Sequence, residues 1–403
     1  MKERWKKVVK IFVSGLVIFV SLYLLQRLLI PKYATEIVEG AMIVEYYREE
    51  KDHDVIFIGD CEVYENFSPQ VLWDDFGINS YIRGSAQQLV WQSYYILEDT
   101  LRYETPEVVI FNVQSMQFDQ PDKEAYNRMT IDGMEWSQAK MGAIASSMTE
   151  KESYLDYVFP ILRYHSRWND IAPEDLEYMY DVPRVSHNGY YMRVDTRAAE
   201  NVPTGKPLAD YSFGEVDYEY LDRLVKLCRV NNIELVLIQA PSLYPYWYDQ
   251  WEKQIEEYAK KNDLLYINFL EQTDDIGLDF SKDTYDGGLH MNLSGAEKVT
   301  KYLGEILRKE TELRDRRGEK KLAAEWEEKR KWYIADREEQ YELVTNEKKE
   351  ALGESAITIE LSQDKEPEAK KEQSGGNDKK QVNKKDMYLP IMMLRLMQRR
   401  SRY

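Results

Sequence analysis

Hydrophobic positions are distributed along this chain in three different ways. From Val8 to Ile30 they are nearly continuous, interrupted by Lys10, Gln26 and Arg27 and showing no polar face. A run of this length predicts a membrane helix, because about 20 helical residues cross a hydrocarbon core of about 30 Å. Residues 1–7 carry Lys2, Arg4, Lys6 and Lys7 against one acid, Glu3. Such a basic leader stays in the cytosol and leaves the bulk of the chain extracytoplasmic. The competing reading is a cleaved secretory signal, but the run is long for one and no small-x-small site precedes Pro31.

From Asp54 onward, short β-branched runs alternate with amphipathic stretches. Val55 to Gly59, Ser80 to Ile82, Val108 to Val113, Glu234 to Gln239 and Leu264 to Phe269 read as strands, and Gln87 to Tyr103, Tyr218 to Asn231 and Trp247 to Asn262 show helical spacing. The alternation predicts an α/β fold, a three-layer sandwich with a central parallel sheet covered on both faces. It stops between Ser115 and Gly214, a segment rich in Tyr, Met, Trp and Asp with Pro160, Pro173 and Pro183. This insertion is expected over the carboxyl edge of the sheet, where open α/β sheets bind ligands, as a lid or substrate wall.

In the third pattern charge dominates. Gly318 to Leu352 predicts a charged helix whose thin apolar stripe, Leu322, Trp326, Tyr333, Tyr341 and Val344, suits light docking or a partner coiled coil. Gln363 to Lys385 reads as disordered. The expected organisation is therefore a basic leader at 1–7, an anchor at 8–30, an extracytoplasmic domain at 31–310 with insertion 115–214, a charged helix at 311–352 and a tail at 353–403.

Composition narrows the partners. Across 403 residues, 43% hydrophobic and 31% charged, 54 Lys plus Arg face 72 Asp plus Glu for a net charge of −18. That surplus repels phosphate backbones, so nucleic acid is not an expected partner. Two cysteines, Cys61 and Cys228, allow neither a disulfide framework nor a short-spaced metal motif, and no metal or other cofactor is expected.

The candidate chemistry lies at two strand ends. In Ile56-Phe-Ile-Gly-Asp-Cys61-Glu-Val-Tyr-Glu, a strand runs into Cys61 beside the backbone N–H groups of a following turn, which lower a thiol's pKa below its ordinary value of about 8.5. A lone cysteine is more often a small buried hydrophobe. In Tyr285-Asp286-Gly-Gly-Leu-His290-Met-Asn-Leu-Ser294-Gly-Ala-Glu297, Ser294 and Glu297 form a capping box, which puts His290 in the loop before a helix with Asp286 close enough to orient it. His53, His165 and His187 have local structural explanations. The aromatic run Tyr244-Pro-Tyr246-Trp247-Tyr248 follows another strand on the same edge and suits sugar rings, although aromatics at such spacing also build cores.

Taken in order, these motifs resemble the SGNH (GDSL-type) hydrolases, in particular a membrane-anchored bacterial branch near envelope acyl-transfer proteins such as DltD and the AlgX/AlgJ-like proteins. The resemblance covers about residues 50 to 310. It implies a nucleophile at Cys61 within Gly59-Asp60-Cys61, where the family carries serine. It implies oxyanion donors from the Cys61 N–H, the Gly84 N–H and the Asn112 side chain, and a general base at His290 oriented by Asp286. Here Asp286 precedes His290 by four positions, one more than usual in the family, with Gly287 and Gly288 available to absorb the extra residue and Asp283 as the substitute orienter. The implied function is an acyl esterase or O-acyltransferase on an envelope polysaccharide. An acylated glycan or a membrane acyl-donor protein would be its partner, with Tyr244, Tyr246 and Trp247 binding substrate. A catalytically silent envelope protein that binds a glycan or a partner through the same pocket, and a thiol redox sensor, are the readings that compete with it.

Overall fold

The computed structural model describes residues 2–30, 38–121, 123–177, 179–180 and 184–363. Helix α1 (Lys2–Leu29) has a mean hydropathy of 2.4 over its most apolar 18 residues, none of them buried, and is long and apolar enough to span a membrane. After α2 (Val38–Glu45) comes β1 (Val55–Gly59), followed by α3 (Cys61–Asn66), β2 (Ser80–Gly84), α4 (Val90–Thr100) and β3 (Val108–Asn112). The insertion carries α5 (Glu124–Ile131), α6 (Gln138–Ser147), α7 (Tyr154–Val158), α8 (Ile161–Tyr164), a 3-10 turn at His165–Asp170 and α9 (Pro173–Glu177). The chain then returns through α10 (Glu215–Val230), β4 (Glu234–Gln239), α11 (Asp249–Asn262), β5 (Leu265–Asn268), α12 (Leu293–Glu310) and α13 (Lys320–Gln363). This last helix runs through 353–363, where the expected tail begins, and the tail from residue 364 on lies outside the described residues.

All five strands pair in parallel in the order β2-β1-β3-β4-β5, a doubly wound arrangement whose order reverses between β1 and β3. The strands are buried on both faces, as a covered parallel sheet requires. One face packs Ile56, Ile58, Val109, Phe111, Leu235 and Leu237 under α4, α10 and α11. On the other, Phe57 meets Phe67, Phe67 meets Phe269 at 5.4 Å, and α12 packs on α3. The expected α/β architecture is therefore the one observed.

Two elements differ from expectation. The first half of the insertion is not a lid. Ile131, Met134, Ala139, Ala143, Ile144 and Tyr157 join the main core, and the Trp91 indole on α4 donates to Ser147 Oγ at 3.0 Å. The sequence hid this because α6 packs outside α4, adding a layer that strand–helix alternation does not encode. Replacing 115–214 by a short linker would thus open the core. The second half does approach the site. The backbone O of Asn188 accepts from Ile82 N at the edge of β2, and the chain then passes α3 and meets the His290 loop where Arg193 O accepts from Leu293 N.

The charged helix docks firmly rather than lightly. Trp326, 1% exposed, stacks on Trp73 at 5.4 Å with an interplanar angle of 7°, and its indole donates to Asn79 Oδ1 at 3.1 Å. Lys329 pairs with Glu49 at 2.9 Å, and His187 Nε2 faces Asp336 at 3.0 Å. The segment just before the helix ties in through Arg316, which binds Asp54 Oδ1 at 3.0 Å.

Candidate active site

Parallel strands bring their carboxyl ends to one edge, so Gly59, Gly84 and Asn112 meet there although they are far apart in sequence. At Gly59 the strand must turn at once into α3. Its φ of +150° is one that side-chain-bearing residues rarely adopt, and an added Cβ would press on Asn112 Cβ at 3.1 Å and Val63 at 3.2 Å. Asp60 caps α3 by accepting from Glu62 N at 3.2 Å, which places Cys61 at the first helical position, partly exposed.

The loop carrying His290 is folded by Asp286. Its Oδ1 accepts from Leu289 N at 3.2 Å and His290 N at 2.9 Å, while Oδ2 faces His290 Nδ1 at 2.7 Å. Gly287 and Gly288, at φ +90° and +104°, make the four-residue spacing feasible, because both occupy the left-handed region. Asp283 is not the substitute orienter: it accepts from Ser294 Oγ and Lys298 Nζ. The helix cap also differs from expectation. Asn292, not Ser294, caps α12 by accepting from Gly295 N at 3.2 Å. Asn66 at the end of α3 accepts from Met291 N at 2.8 Å, tying the histidine loop to the helix that begins at Cys61.

His290 is buried. Glu65 Oε2 also lies 3.8 Å from its Nδ1, so two carboxylates keep the proton on that nitrogen. Nε2 is left without a nitrogen or oxygen partner. Burial opposes the charged ring, but Glu65, then the neighbouring Cys61 and the bond to Asp286, carry its pKa well above the usual imidazole value. Burial likewise opposes the Asp286 carboxylate, yet the bonds from His290 and the backbone hold it below the ordinary carboxylate range. Tyr285 donates to Glu65, and the Arg193 guanidinium lies 4.3 Å over the Tyr285 ring.

The thiol departs from its expected state. Burial pushes Cys61 up to about 12 against the lowering effect of His290, with Asp60 and Glu65 adding to the rise. The imidazole does not win, because burial of the thiol outweighs it. Buried Cys228 is pushed to a similar value by burial alone, so the expected preference for a Cys61 thiolate at neutral pH is not supported.

Among the expected oxyanion donors, Asn112 is committed elsewhere. Its Nδ2 donates to Asp60 Oδ1 and Glu62 Oε2, each at 3.0 Å, and its Oδ1 accepts from Ala240 N at 3.2 Å. Gly84 sits at the same edge, where an added Cβ would press on Val63 Cγ2 at 2.8 Å, so close packing of α3 by itself accounts for the glycine. The aromatic run divides. Trp247 belongs to the core beside Phe213 and donates to Glu252 at 2.6 Å, which removes it from the candidate substrate surface. Tyr244 braces the His290 loop by donating to Asp286 O at 2.9 Å, and only Tyr246 of this run, 45% exposed, presents an open ring.

Glu62, Glu65 and Asn66 were missed from sequence. The available signal was three polar residues on a six-residue helix flanked by buried strands, all of which are buried. Burial, reinforced by Asp60, raises the Glu62 carboxyl from 4.5 to about 8. The folded protein therefore holds this proton more tightly than the unfolded chain, so its stabilising contribution is complete below pH 4.5 and is lost as pH rises through 8. Glu62→Gln is expected to melt higher than wild type at pH 9 and to lose that advantage at pH 4. Parallel melting-temperature curves against pH would contradict this assignment. Among the described residues, no group of three His, Cys, Asp or Glu side chains is placed to hold a metal ion.

No protein-family model and no curated protein matches the sequence. Two of the solved structures that resemble it weakly are as follows. One is a lipolytic protein of the G-D-S-L family from Desulfitobacterium hafniense DCB-2, with 13% identity, 64% of this chain and 100% of that chain covered, and a TM-score of 0.32. The other is a GDSL-like lipase from Bacteroides thetaiotaomicron VPI-5482, with 11% identity, coverages of 67% and 97%, and a TM-score of 0.32. At these values neither match bears on the reading of the site.

Proposed function

We propose that this protein is a membrane-anchored, extracytoplasmic SGNH-like acyl esterase or O-acyltransferase, acting on an acylated envelope polysaccharide. The observation that supports this reading best is the Asp286–His290 pair at 2.7 Å, with Nε2 left unpaired and Cys61 near enough to exchange electrostatic influence with the ring. In the reactive form His290 takes the Cys61 proton at Nε2 while the sulfur attacks the ester carbonyl. The imidazolium then protonates the departing alcohol, leaving a thioester on Cys61. Water or an acceptor hydroxyl gives its proton to His290 and attacks that thioester, which frees the thiol. The N–H groups of Cys61 and Gly84 are the oxyanion donors in this scheme, and Asn112 joins them only if it leaves Asp60 or Glu62. Tyr246 is the proposed contact for a sugar ring, and a membrane acyl-donor protein is the proposed partner for transfer.

Because burial raises the Cys61 thiol and the neighbouring carboxylates raise the His290 imidazole, loss of a proton from the pair favours attack. Turnover of a chromogenic acetyl ester by the detergent-solubilised full chain should rise with pH above neutrality and should vanish in Cys61→Ala. Turnover that persists unchanged in Cys61→Ala would overturn the scheme. A second reading, a catalytically silent glycan- or partner-binding protein, is favoured by the commitment of both Asn112 amide hydrogens to carboxylates. It predicts no Cys61-dependent turnover at any pH. Protease digestion of the chain beyond Pro31 in spheroplasts tests the extracytoplasmic placement.

A further inference from the structure

We propose that the short helices between Tyr154 and Tyr180 form a second membrane contact, lying on the surface of the bilayer that α1 spans. The proposal rests on reading α1 as a membrane span, and two independent features of the structure lead to it.

The first is where α1 meets the rest of the protein. Val8 to Leu24 are exposed along their whole length, and only the last turns, Leu25 to Ile30, are covered. They are covered by α8, the turn at His165–Asp170 and α9. Leu29 is buried, and its carbonyl, left over at the helix end, accepts from Arg167 Nη1 at 3.0 Å, while Arg167 is held by Asp175 at 2.9 Å. The bare stretch spans about 25 Å at 1.5 Å per residue, short of the roughly 30 Å of a hydrocarbon core. A bilayer core that begins at Val8 therefore ends within the covered turns. The elements packed there sit at the boundary between acyl chains and headgroups.

The second is what those elements show to solvent. Leu155, Phe159, Leu162, Trp168, Leu176 and Tyr180 are each at least 50% exposed, on or directly after four consecutive short elements. Exposed Trp, Tyr and Phe beside a membrane helix suit the interfacial belt. The neighbouring charges are mixed, with Arg163 and His165 beside Asp170 and Glu177, so apolar burial rather than attraction to anionic lipid carries the contact.

The test uses the full chain, with Cys61→Ser and Cys228→Ser, in phosphatidylcholine vesicles. Spin labels are attached at Leu162→Cys, at Leu16→Cys within α1 and at Val230→Cys, an exposed position at the end of α10. Labels at 162 and 16 should collide several-fold more with oxygen than with a nickel chelate, and the label at 230 should show the reverse. An oxygen-rich label at 16 with a label at 162 that behaves like 230 overturns the second contact and leaves the membrane span standing. A water-exposed label at 16 overturns both. Brominated phosphatidylcholine gives a cysteine-independent check, because Trp168→Phe should reduce its quenching of tryptophan emission. Unchanged quenching would overturn the proposal.

Discussion

His290→Ala should lower turnover of an acetyl ester by about 10³-fold or more, because it removes the only imidazole beside Cys61 and with it both the base and the acid of the proposed cycle. The more informative variant is Asp286→Asn, expected to cost on the order of 10²- to 10³-fold while the fold survives. Asp286 uses Oδ1 for two backbone N–H groups and Oδ2 for His290 Nδ1. An asparagine that keeps its oxygen on the backbone turns its NH₂ toward Nδ1. The ring then moves its proton to Nε2, the nitrogen that must be free to accept one. Nitrogen-15 spectra of His290 would report this tautomer change directly. A variant with unaltered tautomer and full activity would remove Asp286 from its orienting role.

Trp326→Ala should destabilise the protein by about 3–5 kcal/mol, the usual cost of emptying a large buried aromatic site. The indole is fully packed against Trp73, and its loss also strips Asn79 Oδ1 of a buried donor. Trp326→Phe should recover part of the loss by refilling the stack without restoring the hydrogen bond. Denaturant midpoints for the three proteins measure both terms. A change below about 0.5 kcal/mol would mean that the helix docks as lightly as its thin apolar stripe suggested.

That stripe shows how far a one-dimensional pattern reaches. Leu322, Trp326 and Tyr333 lie at helical spacing, so the helix itself was legible. The depth of its docking depends on Trp73, Asn79 and Ser68, which come from segments more than two hundred residues earlier and carry no matching signal. The insertion failed for a related reason. Its core residues are spaced for α6, but the surface they bury against belongs to α4.

The sequence by itself determined the features that depend on local spacing. These are the bare apolar span of α1, the five strands and their alternation with helices, the exit of β1 into Gly59-Asp60-Cys61, and the Asp286–His290 pairing, closed within one loop by two glycines. Tertiary structure alone decided the state of the site. Parallel pairing of β1 with β3 delivers Asn112 to Asp60 and Glu62 across about fifty residues of sequence, and packing of α3 beneath the histidine loop buries the Cys61 thiol beside His290. A thiol's pKa and an amide's free donors are set by burial and by which charges arrive from elsewhere in the chain. Residue type and spacing therefore located the site, and the packed environment determined its protonation.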